Sequence, residues 1–317
     1  MRRAHISGPM LASARPALDK SWEREPSKCQ PGLERLESSH PVFRSAWLVT
    51  NVLLVLSILM AAYSVVWEYS TRKYLRGFSD AVIPATASPA EKAQAILEWM
   101  SSGPARRESS PDFSTTDRDP TDTLNYASLL RVCGSATNAF VNLADSAGLA
   151  SRRLLLLDSH RGTVHVVAEV LVNGRWVVVD PAFRRMLRGK DGHLLTKEEL
   201  RDPVTFTEAT SSIPDYSSEY NYDSTAHVRL ARLGWMRAPL RKVLNHLLPG
   251  WEDSTVVTLA MERESLATLV IALFVLFFFS LVRVGLRWYG ERHLAVSTLR
   301  VRHQLRRALR VFMAAEG

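Results

Sequence analysis

Cysteine is scarce in this chain, and so are clusters of metal-binding side chains. Only Cys29 and Cys133 occur among the 317 residues, and no group of cysteines and histidines has the spacing of metal ligands. Histidines outside the main motif, among them His160, His193, His227 and His246, are scattered along the chain. A glycine-rich phosphate loop and internal repeats are also absent. We therefore expect neither a metal nor an organic cofactor.

Charge is absent from two stretches, residues 45–67 and 265–282. The first is long enough to cross a hydrocarbon core of about 30 Å at about 1.5 Å per residue. The second reaches that length when it is extended past Arg283 to residue 286. A buried core helix is the alternative for either stretch, and a cleaved signal peptide is the alternative for the first. The arm before residue 45 is too long for an ordinary n-region, so we predict an uncleaved signal-anchor helix, 45–67, and a second transmembrane helix, 265–286.

The distribution of arginine around the second stretch predicts the orientation. The basic residues after it include Arg283, Arg287, Arg292, Arg300 and Arg302, whereas Arg263 stands nearly alone before it. Basic residues close to a span mark its cytoplasmic side, and two spans place both termini on that side. The sequence thus predicts a two-pass protein of a bacterial-type inner membrane, with residues 68–264 in the periplasm. A domain that faces the cytoplasm and acts on cytosolic peptides is the alternative.

The net charge of +8 belongs to the ends of the chain. Basic residues outnumber acidic ones in the arm 1–44, which we predict to be disordered and cytoplasmic, and in the tail 287–317, which has the pattern of a basic amphipathic helix. The region between the spans is close to neutral. We expect the tail to lie on anionic lipid of the inner leaflet, with a partner helix as the alternative. The charge does not indicate binding to nucleic acid.

The segment that begins at Cys133 carries the strongest pattern in the chain. Apolar residues follow Cys133 at helical spacing, and Gly148 is a stop signal for that helix. A thiol at a helix start lies in the positive end of the macrodipole, which favours the thiolate. By the predicted topology Cys29 and Cys133 lie on opposite sides of the membrane and cannot pair. Catalysis is one explanation for an unpaired thiol in an oxidising compartment.

A predicted hairpin follows, and its register places two further side chains together. Asn173-Gly174 is the strongest short signal for a two-residue type I′ turn. With this turn Val167 faces Asp180, and His165, two residues before Val167, projects from the same face. His165 and Asp180 are then diagonal neighbours within side-chain reach. A thiol, an imidazole and a carboxylate in this arrangement are typical of a nucleophile, its base and the residue that orients the base.

Taken singly, each residue type is more often structural than catalytic. A cysteine is usually a small buried hydrophobe, a histidine on a strand is usually a core or surface residue, and an aspartate before proline usually marks a strand end or a turn. Their order, however, resembles that of the transglutaminase-like superfamily. Its members carry a cysteine at a helix start, a Gly-hydrophobic-x-x-Arg stretch, a histidine with a glutamate four residues on, and a tryptophan before a strand that ends in Asp-Pro. The matching residues are Cys133, Gly148, Leu149, Arg152, His165, Glu169, Trp176, Asp180 and Pro181. Val167 stands where an aromatic residue is common and Ser151 where a small apolar one is common; neither departure removes a member of the triad.

The resemblance implies an α+β fold with a papain-like Cys-His-Asp core at about residues 121–185, within a domain at 68–264. In such a core the cysteine helix packs on an antiparallel sheet that carries the histidine and the aspartate. The implied activity is cleavage or transfer of an amide or acyl group through a Cys133 thioester, with His165 as base and Asp180 as orienter. A hydrolase and a transamidase both remain open, as does a catalytically silent scaffold in a cell-envelope or exopolysaccharide assembly. The expected partners are the lipid bilayer and a protein or peptide substrate, including envelope components.

Smaller elements follow from local signals. Ser88-Pro89-Ala90-Glu91 and Thr196-Lys197-Glu198-Glu199 are capping boxes that predict helix starts. Residues 102–120 have turn chemistry throughout and predict a surface loop. Residues 214–225 interleave three tyrosines with acids, which indicates either an ordered loop that packs its tyrosines or a surface that stacks glycans. Residues 226–248 predict a basic amphipathic helix, broken by Pro239, on the domain or the membrane surface.

Overall fold

The computed structural model describes residues 41–102, 119–229, 235 and 237–294. Three predictions concern segments outside these residues: the arm up to residue 40, the loop at 103–118 and the tail from residue 295. The chain divides into two compact units, one of residues 53–280 and one of residues 1–52 with 281–317. The candidate site lies in the first unit.

Along the chain, the α-helices of the described residues lie both before and after the segment 151–186, which contains most of the strands. In chain order the α-helices are α1 Pro41–Val82, α2 Pro89–Ser102, α3 Pro120–Asn125, α4 Cys133–Ser146, α5 Pro203–Thr210, α6 Arg237–Leu247, α7 Thr255–Glu262 and α8 Glu264–His293. Short 3-10 turns occupy Leu129–Arg131, Glu199–Arg201 and Trp251–Asp253.

The strands of the described residues form one antiparallel sheet of five strands in the order β4-β3-β2-β1-β5. Their bounds are β1 Ser151–Leu157, β2 Thr163–Val172, β3 Arg175–Asp180, β4 Arg185–Met186 and β5 Thr225–Ala226. The α+β class with an antiparallel sheet is therefore confirmed. Asn173 and Gly174 have φ angles of 50° and 80°, and Val172 pairs with Arg175 and Val170 with Val177. The predicted turn and register are both correct.

Each face of the sheet is covered by its own apolar cluster. Side chains of β2 and β3 such as Val170 and Val179 pack on one face against α2 and α4, with Leu75 from the end of α1. On the other face Val167 and Val178 pack with residues after β3, including Tyr222. Successive side chains of one strand therefore belong to different clusters, which is the period-2 pattern of a sheet that is buried on both faces. The site residues stand at the end of this sheet where β2 begins.

Among the described residues, two helices, α1 and α8, are long and apolar enough to cross a membrane by length and composition. Their most apolar stretches have mean hydropathies of 2.2 and 2.7. In the second unit, the ring of Trp47 lies 5.3 Å from the Arg283 guanidinium, and the rings of Phe43 and Tyr289 lie 6.5 Å apart.

Local capping signals predict helix starts well. Glu91 accepts the backbone N–H of Ser88 at 2.7 Å, and the Ser88 hydroxyl accepts that of Glu91 at 3.4 Å. Thr196 and Glu199 form the second capping box in the same way, at the start of the Glu199–Arg201 turn. Both capping boxes satisfy backbone donors that the first turn leaves without helical partners.

The predicted helix over residues 226–248 is wrong in its first part. Ala226 belongs to β5 and pairs with Leu155 of β1, and the His227 carbonyl accepts the Nε–H of Arg153 at 3.0 Å. These contacts hold the backbone extended at the sheet edge. The helix α6 begins only at Arg237, where Pro239 fits the first turn because that turn needs no intrahelical N–H donors. Residues 230–234 and 236 lie outside the described residues.

Candidate active site

Cys133 is the first residue of α4, as the sequence predicts. The helix ends at Ala147 and Gly148 through the paired bonds of a Schellman motif: Leu149 N–H donates to Ala144 at 2.8 Å and Gly148 N–H to Asp145 at 2.9 Å. The Thr137 hydroxyl donates to the Val166 carbonyl at 3.0 Å. This bond ties the beginning of α4 to the residue next to His165, so the half-buried thiol lies beside the start of β2.

The hairpin brings His165 and Asp180 into direct contact. His165 Nε2 lies 2.7 Å from Asp180 Oδ2, and both side chains are buried. The other carboxylate oxygen, Oδ1, accepts the backbone N–H groups of Ala182 and Phe183 at 3.1 and 3.2 Å. The turn that follows Pro181 thus fixes the carboxylate, and the carboxylate fixes the imidazole. Nδ1 is the ring nitrogen that does not face Asp180, and the His165 imidazole acts on the Cys133 thiol by lowering its pKa.

Two opposing effects act on the ionisation of Cys133. Burial disfavours the thiolate and by itself raises the pKa. The hydrogen bond to His165, the charge of that imidazole, and the backbone N–H groups of Val166 and Gly134 act in the other direction and outweigh burial, so the pKa of Cys133 is lowered. The structure brings together the three predicted residues, in an order that favours a thiolate beside a protonated imidazole.

Burial and the neighbouring groups also have opposite effects on His165, and the balance favours its charged form. Burial lowers the pKa of an imidazole. The bond to Asp180 and the bond to Cys133, with the charges of both groups, raise the pKa of His165 to about 9. An imidazolium with this pKa keeps its proton at neutral pH and can donate it to a leaving amine.

Aromatic rings enclose the His165 imidazole, and sequence reasoning did not place them there. The Tyr220 ring stacks on it with centroids 4.2 Å apart and planes 4° apart. Phe183 and Tyr216 present their rings at steeper angles, with centroids 5.9 and 6.2 Å away. Tyr216 and Tyr220 belong to the tyrosine-rich segment that the sequence singles out. Its composition indicated packed tyrosines or a glycan surface, but no periodicity linked it to the hairpin.

The other residues of the motif form a separate buried cluster on the sheet. Glu169 accepts Arg152 Nε–H at 2.8 Å, and its Oε2 lies 2.7 Å from His227 Nε2. The Arg152 guanidinium lies over the Trp176 ring, 4.1 Å from its centroid. The second nitrogen of His227 lies 2.6 Å from Asp253. Glu169 therefore holds Arg152 and His227 against the sheet rather than taking part in the triad.

Burial opposes the ionisation of Glu169, but the hydrogen bond to His227 and the charges of Arg152 and Lys197 lower its pKa overall. The carboxylate thus stays charged at neutral pH. No group of three or more histidine, cysteine, aspartate or glutamate side chains among the described residues could hold a metal ion.

Comparison with known proteins finds a similarity that covers the part of the chain that contains the candidate site. Residues 76–181 match the family model of the transglutaminase-like superfamily. The matched segment includes Cys133, His165 and Asp180. Neither a curated protein nor a solved structure matches the chain. Residues 76–181 are therefore similar to the transglutaminase-like superfamily, whose members are generally cysteine-dependent enzymes that modify amides.

Proposed function

We propose that this protein is a membrane-anchored thiol enzyme that cleaves or transfers amide or acyl groups through a thioester on Cys133. The observation that carries the proposal is the buried contact between His165 Nε2 and Asp180 Oδ2, at 2.7 Å, beside a thiol whose pKa the His165 imidazole helps to lower. It lies within the segment that matches the transglutaminase-like superfamily.

In the first half-reaction the Cys133 thiolate attacks the carbonyl carbon of the substrate, and His165 carries the proton that the thiol has lost. The backbone N–H of Cys133, at the helix start, is a donor for the oxygen that becomes negative. The carbon–nitrogen bond then breaks, and His165 gives its proton to the departing amine. A thioester on Cys133 and a neutral imidazole remain.

In the second half-reaction His165 accepts a proton from the incoming nucleophile, which attacks the thioester carbonyl. Water yields a carboxylic acid, and an amine yields a new amide; in both cases the Cys133 thiol is regenerated. Asp180 holds the imidazole in the required orientation through Nε2 and stabilises the imidazolium. The same three residues can catalyse hydrolysis or transamidation. Which reaction occurs depends on whether water or an amine attacks the thioester.

The proposed membrane anchoring rests on α1 and α8. Only 28% and 17% of the residues in their most apolar stretches are buried, whereas a core helix of a soluble domain is mostly buried. We further propose that both termini are cytoplasmic and that the domain is periplasmic, on the basis of the arginines after the second apolar stretch. A reporter that matures in one compartment only, fused to Gly317, tests this: periplasmic maturation would overturn the topology.

The nucleophile is tested with a neutral haloacetamide, which alkylates thiolates and resembles an amide in size. We expect rapid labelling of Cys133 in the full-length chain, together with loss of that label in Cys133→Ala and its persistence in Cys29→Ala. Circular dichroism checks that both variants fold. Labelling of Cys133 no faster than that of an unfolded control would reject the nucleophile and leave a scaffold as the remaining interpretation.

A further inference from the structure

Tyr220 lies face to face with His165 and is the closest ring to that imidazole among the described residues. The centroids are 4.2 Å apart and the planes differ by 4°. The ring is half-buried and comes from the segment between α5 and β5. Tyr216 contacts the Tyr220 ring edge-on with centroids 5.3 Å apart, and Phe183 packs against Tyr216 at 4.7 Å. The Tyr220 ring thus contacts Tyr216, which in turn packs against Phe183.

The face of an aromatic ring carries negative charge density and attracts a cation that lies within about 6 Å of its centroid. His165 in its protonated form is such a cation. The other ionisable groups that face it are Asp180 from β3, Cys133 from α4 and Tyr216 from the same segment as Tyr220. Asp180 and Cys133 contribute the negative charge of ionised groups, whereas Tyr220 contributes that of a ring face stacked on the imidazole.

We propose that Tyr220 is a positioning residue that stabilises the imidazolium form of His165 by stacking on it, and thereby stabilises the reactive ion pair with Cys133. This inference rests on the proposed function, because it concerns the same thiol and imidazole. Tyr220 acts through its ring and not through its hydroxyl. Burial, with the nearby charges of Cys133 and Asp180, raises the pKa of Tyr220, so the hydroxyl keeps its proton and is no base at neutral pH.

Two alkylating reagents of similar size measure the imidazolium directly. Iodoacetate is an anion and is attracted to a thiolate beside a positive ring, whereas neutral iodoacetamide is not. The ratio of their rate constants at Cys133 therefore falls where the imidazolium loses its proton. In full-length Cys29→Ser protein, which has a single thiol, we expect the ratio to fall as the pH passes about 9. No substrate is needed for this measurement.

Tyr220→Leu removes the aromatic face, and we expect the fall in the ratio to move to lower pH by about half to one unit. Tyr220→Phe keeps the face and should leave the position unchanged. Pentafluorophenylalanine at position 220 keeps the shape but reverses the charge distribution of the ring, so it should behave like Tyr220→Leu. The pentafluorophenylalanine variant tests the role of the Tyr220 ring even if Tyr220→Leu does not fold. Tyr69→Leu is the matched control, because Tyr69 is exposed and lies beside Lys73.

The outcomes separate the two proposals. If the ratio falls at the same pH in the wild type, in Tyr220→Leu and in the pentafluorophenylalanine variant, Tyr220 does not stabilise the imidazolium, while the thiol–imidazole pair stands. If iodoacetate has no pH-dependent advantage in the wild type, no imidazolium lies beside the thiol, and both proposals fail. Faster alkylation by both reagents in Tyr220→Leu, with an unmoved fall, would show that Tyr220 only obstructs access.

Discussion

At the scale of single residues, Asp180 affects His165 through one direct contact between their side chains. Asp180 Oδ2 faces His165 Nε2, and the carboxylate is held by two backbone N–H groups through its other oxygen. An amide of the same shape at position 180 can keep the geometry but loses the negative charge that stabilises the imidazolium. The charge and the geometry of this residue can therefore be separated by experiment.

We predict that Asp180→Asn lowers acyl transfer by about 10²- to 10⁴-fold, as expected when a triad loses its orienting charge. It should also lower the pKa of His165, because the bond to Asp180 raises that pKa. Steady-state kinetics and the two-reagent ratio measure the two effects. Asp191→Asn is the matched control, since Asp191 is an exposed aspartate paired with His193. Equal losses in both variants would contradict the assignment of Asp180.

Glu169 makes the folded domain sensitive to acid. Its pKa is lowered in the folded state, so its stabilising contribution is present above the unfolded value of 4.5 and is lost as the pH falls through the lower folded value. We predict that Glu169→Gln costs about 3–5 kcal/mol at neutral pH, because Arg152 and His227 lose a buried partner. Its stability should also change less below pH 4.5 than that of the wild type. Chemical unfolding at several pH values measures both effects.

Glu252→Gln serves as the control for Glu169→Gln, because Glu252 pairs with Arg241 at an exposed site. Exposed pairs contribute at most about 1 kcal/mol. A loss in Glu169→Gln no greater than in this control would show that the cluster around Glu169 does not stabilise the sheet.

The sequence predicts the three candidate residues of the site because each is tied to a regular element. Cys133 follows from a helix start, and His165 and Asp180 follow from the register that one Asn-Gly turn dictates. Tyr220 could not be predicted in the same way. The segment between α5 and β5 has no repeat or turn that relates it to the hairpin, so its place over His165 depends on tertiary packing alone.

At the scale of elements, the end of α4 depends on one backbone conformation. Gly148 has a φ angle of 70°, which closes the two bonds of the Schellman motif and turns the chain into β1. A Cβ at this position meets no atom within 4 Å. The cost of a side chain there is therefore the cost of the left-handed conformation and not of a clash.

We predict that Gly148→Ala destabilises the domain by about 1–2 kcal/mol for this reason. Gly77→Ala, within α1, should be neutral or stabilise by up to about 1 kcal/mol, because a Cβ at Gly77 also meets no atom within 4 Å. The thermal midpoints of both variants in detergent measure the difference. A midpoint of Gly148→Ala at or above that of Gly77→Ala would show that the helix end does not depend on this conformation.

The shortest strands show where prediction from sequence ends. β4 and β5 contain two residues each, too few to show an alternating pattern in the sequence. They form because their backbones pair with the neighbouring strands β3 and β1. The incorrect start of the helix at residue 226 has the same origin. Its amphipathic pattern is genuine from Arg237 onward, but pairing of Ala226 with Leu155 overrides it at the beginning.

At the scale of the whole molecule, a buried polar cluster joins the cysteine helix to the ends of the two apolar stretches. Arg263 Nη2 bonds Asp145 at 2.8 Å and Nε bonds Asn142 at 2.8 Å, both from α4. The same guanidinium lies 3.3 Å from Glu68, which also accepts the hydroxyl of Ser265 at 2.7 Å. Glu68 is the residue after the first predicted span and Ser265 the first residue of the second.

We predict that Arg263→Met destabilises the domain by about 3–5 kcal/mol, because Asn142, Asp145 and Glu68 lose a buried guanidinium. Among the described residues, Glu68 then keeps only the exposed Arg72 as a cationic partner. Arg287→Met is the control: Arg287 is exposed and pairs with Glu291 one helical turn away, a pair that contributes about 0.3–0.5 kcal/mol. Unfolding in detergent micelles measures both. Equal stability of the two variants would show that the polar cluster does not hold the domain to the helices.

The sequence alone predicts the two apolar stretches and the domain between them, since both depend on composition and length. It does not predict that α1 continues to Val82 and places Leu75 in the domain core. It also gives no sign of the polar cluster, whose members are spread from Glu68 to Ser265 and meet only in the fold. Long-range contacts of this kind leave no periodicity in the chain.

The most direct test of the account is the reaction of the full-length chain in detergent with p-nitrophenyl acetate, followed in the pre-steady state. We predict a burst of about one equivalent of nitrophenolate per chain, as expected for an acyl-enzyme, and an acetyl thioester on the Cys133 peptide after acid quench. The burst should disappear in Cys133→Ala and persist in Cys29→Ser. A burst that survives Cys133→Ala, or an acetyl group found only on other residues, would contradict the central claim.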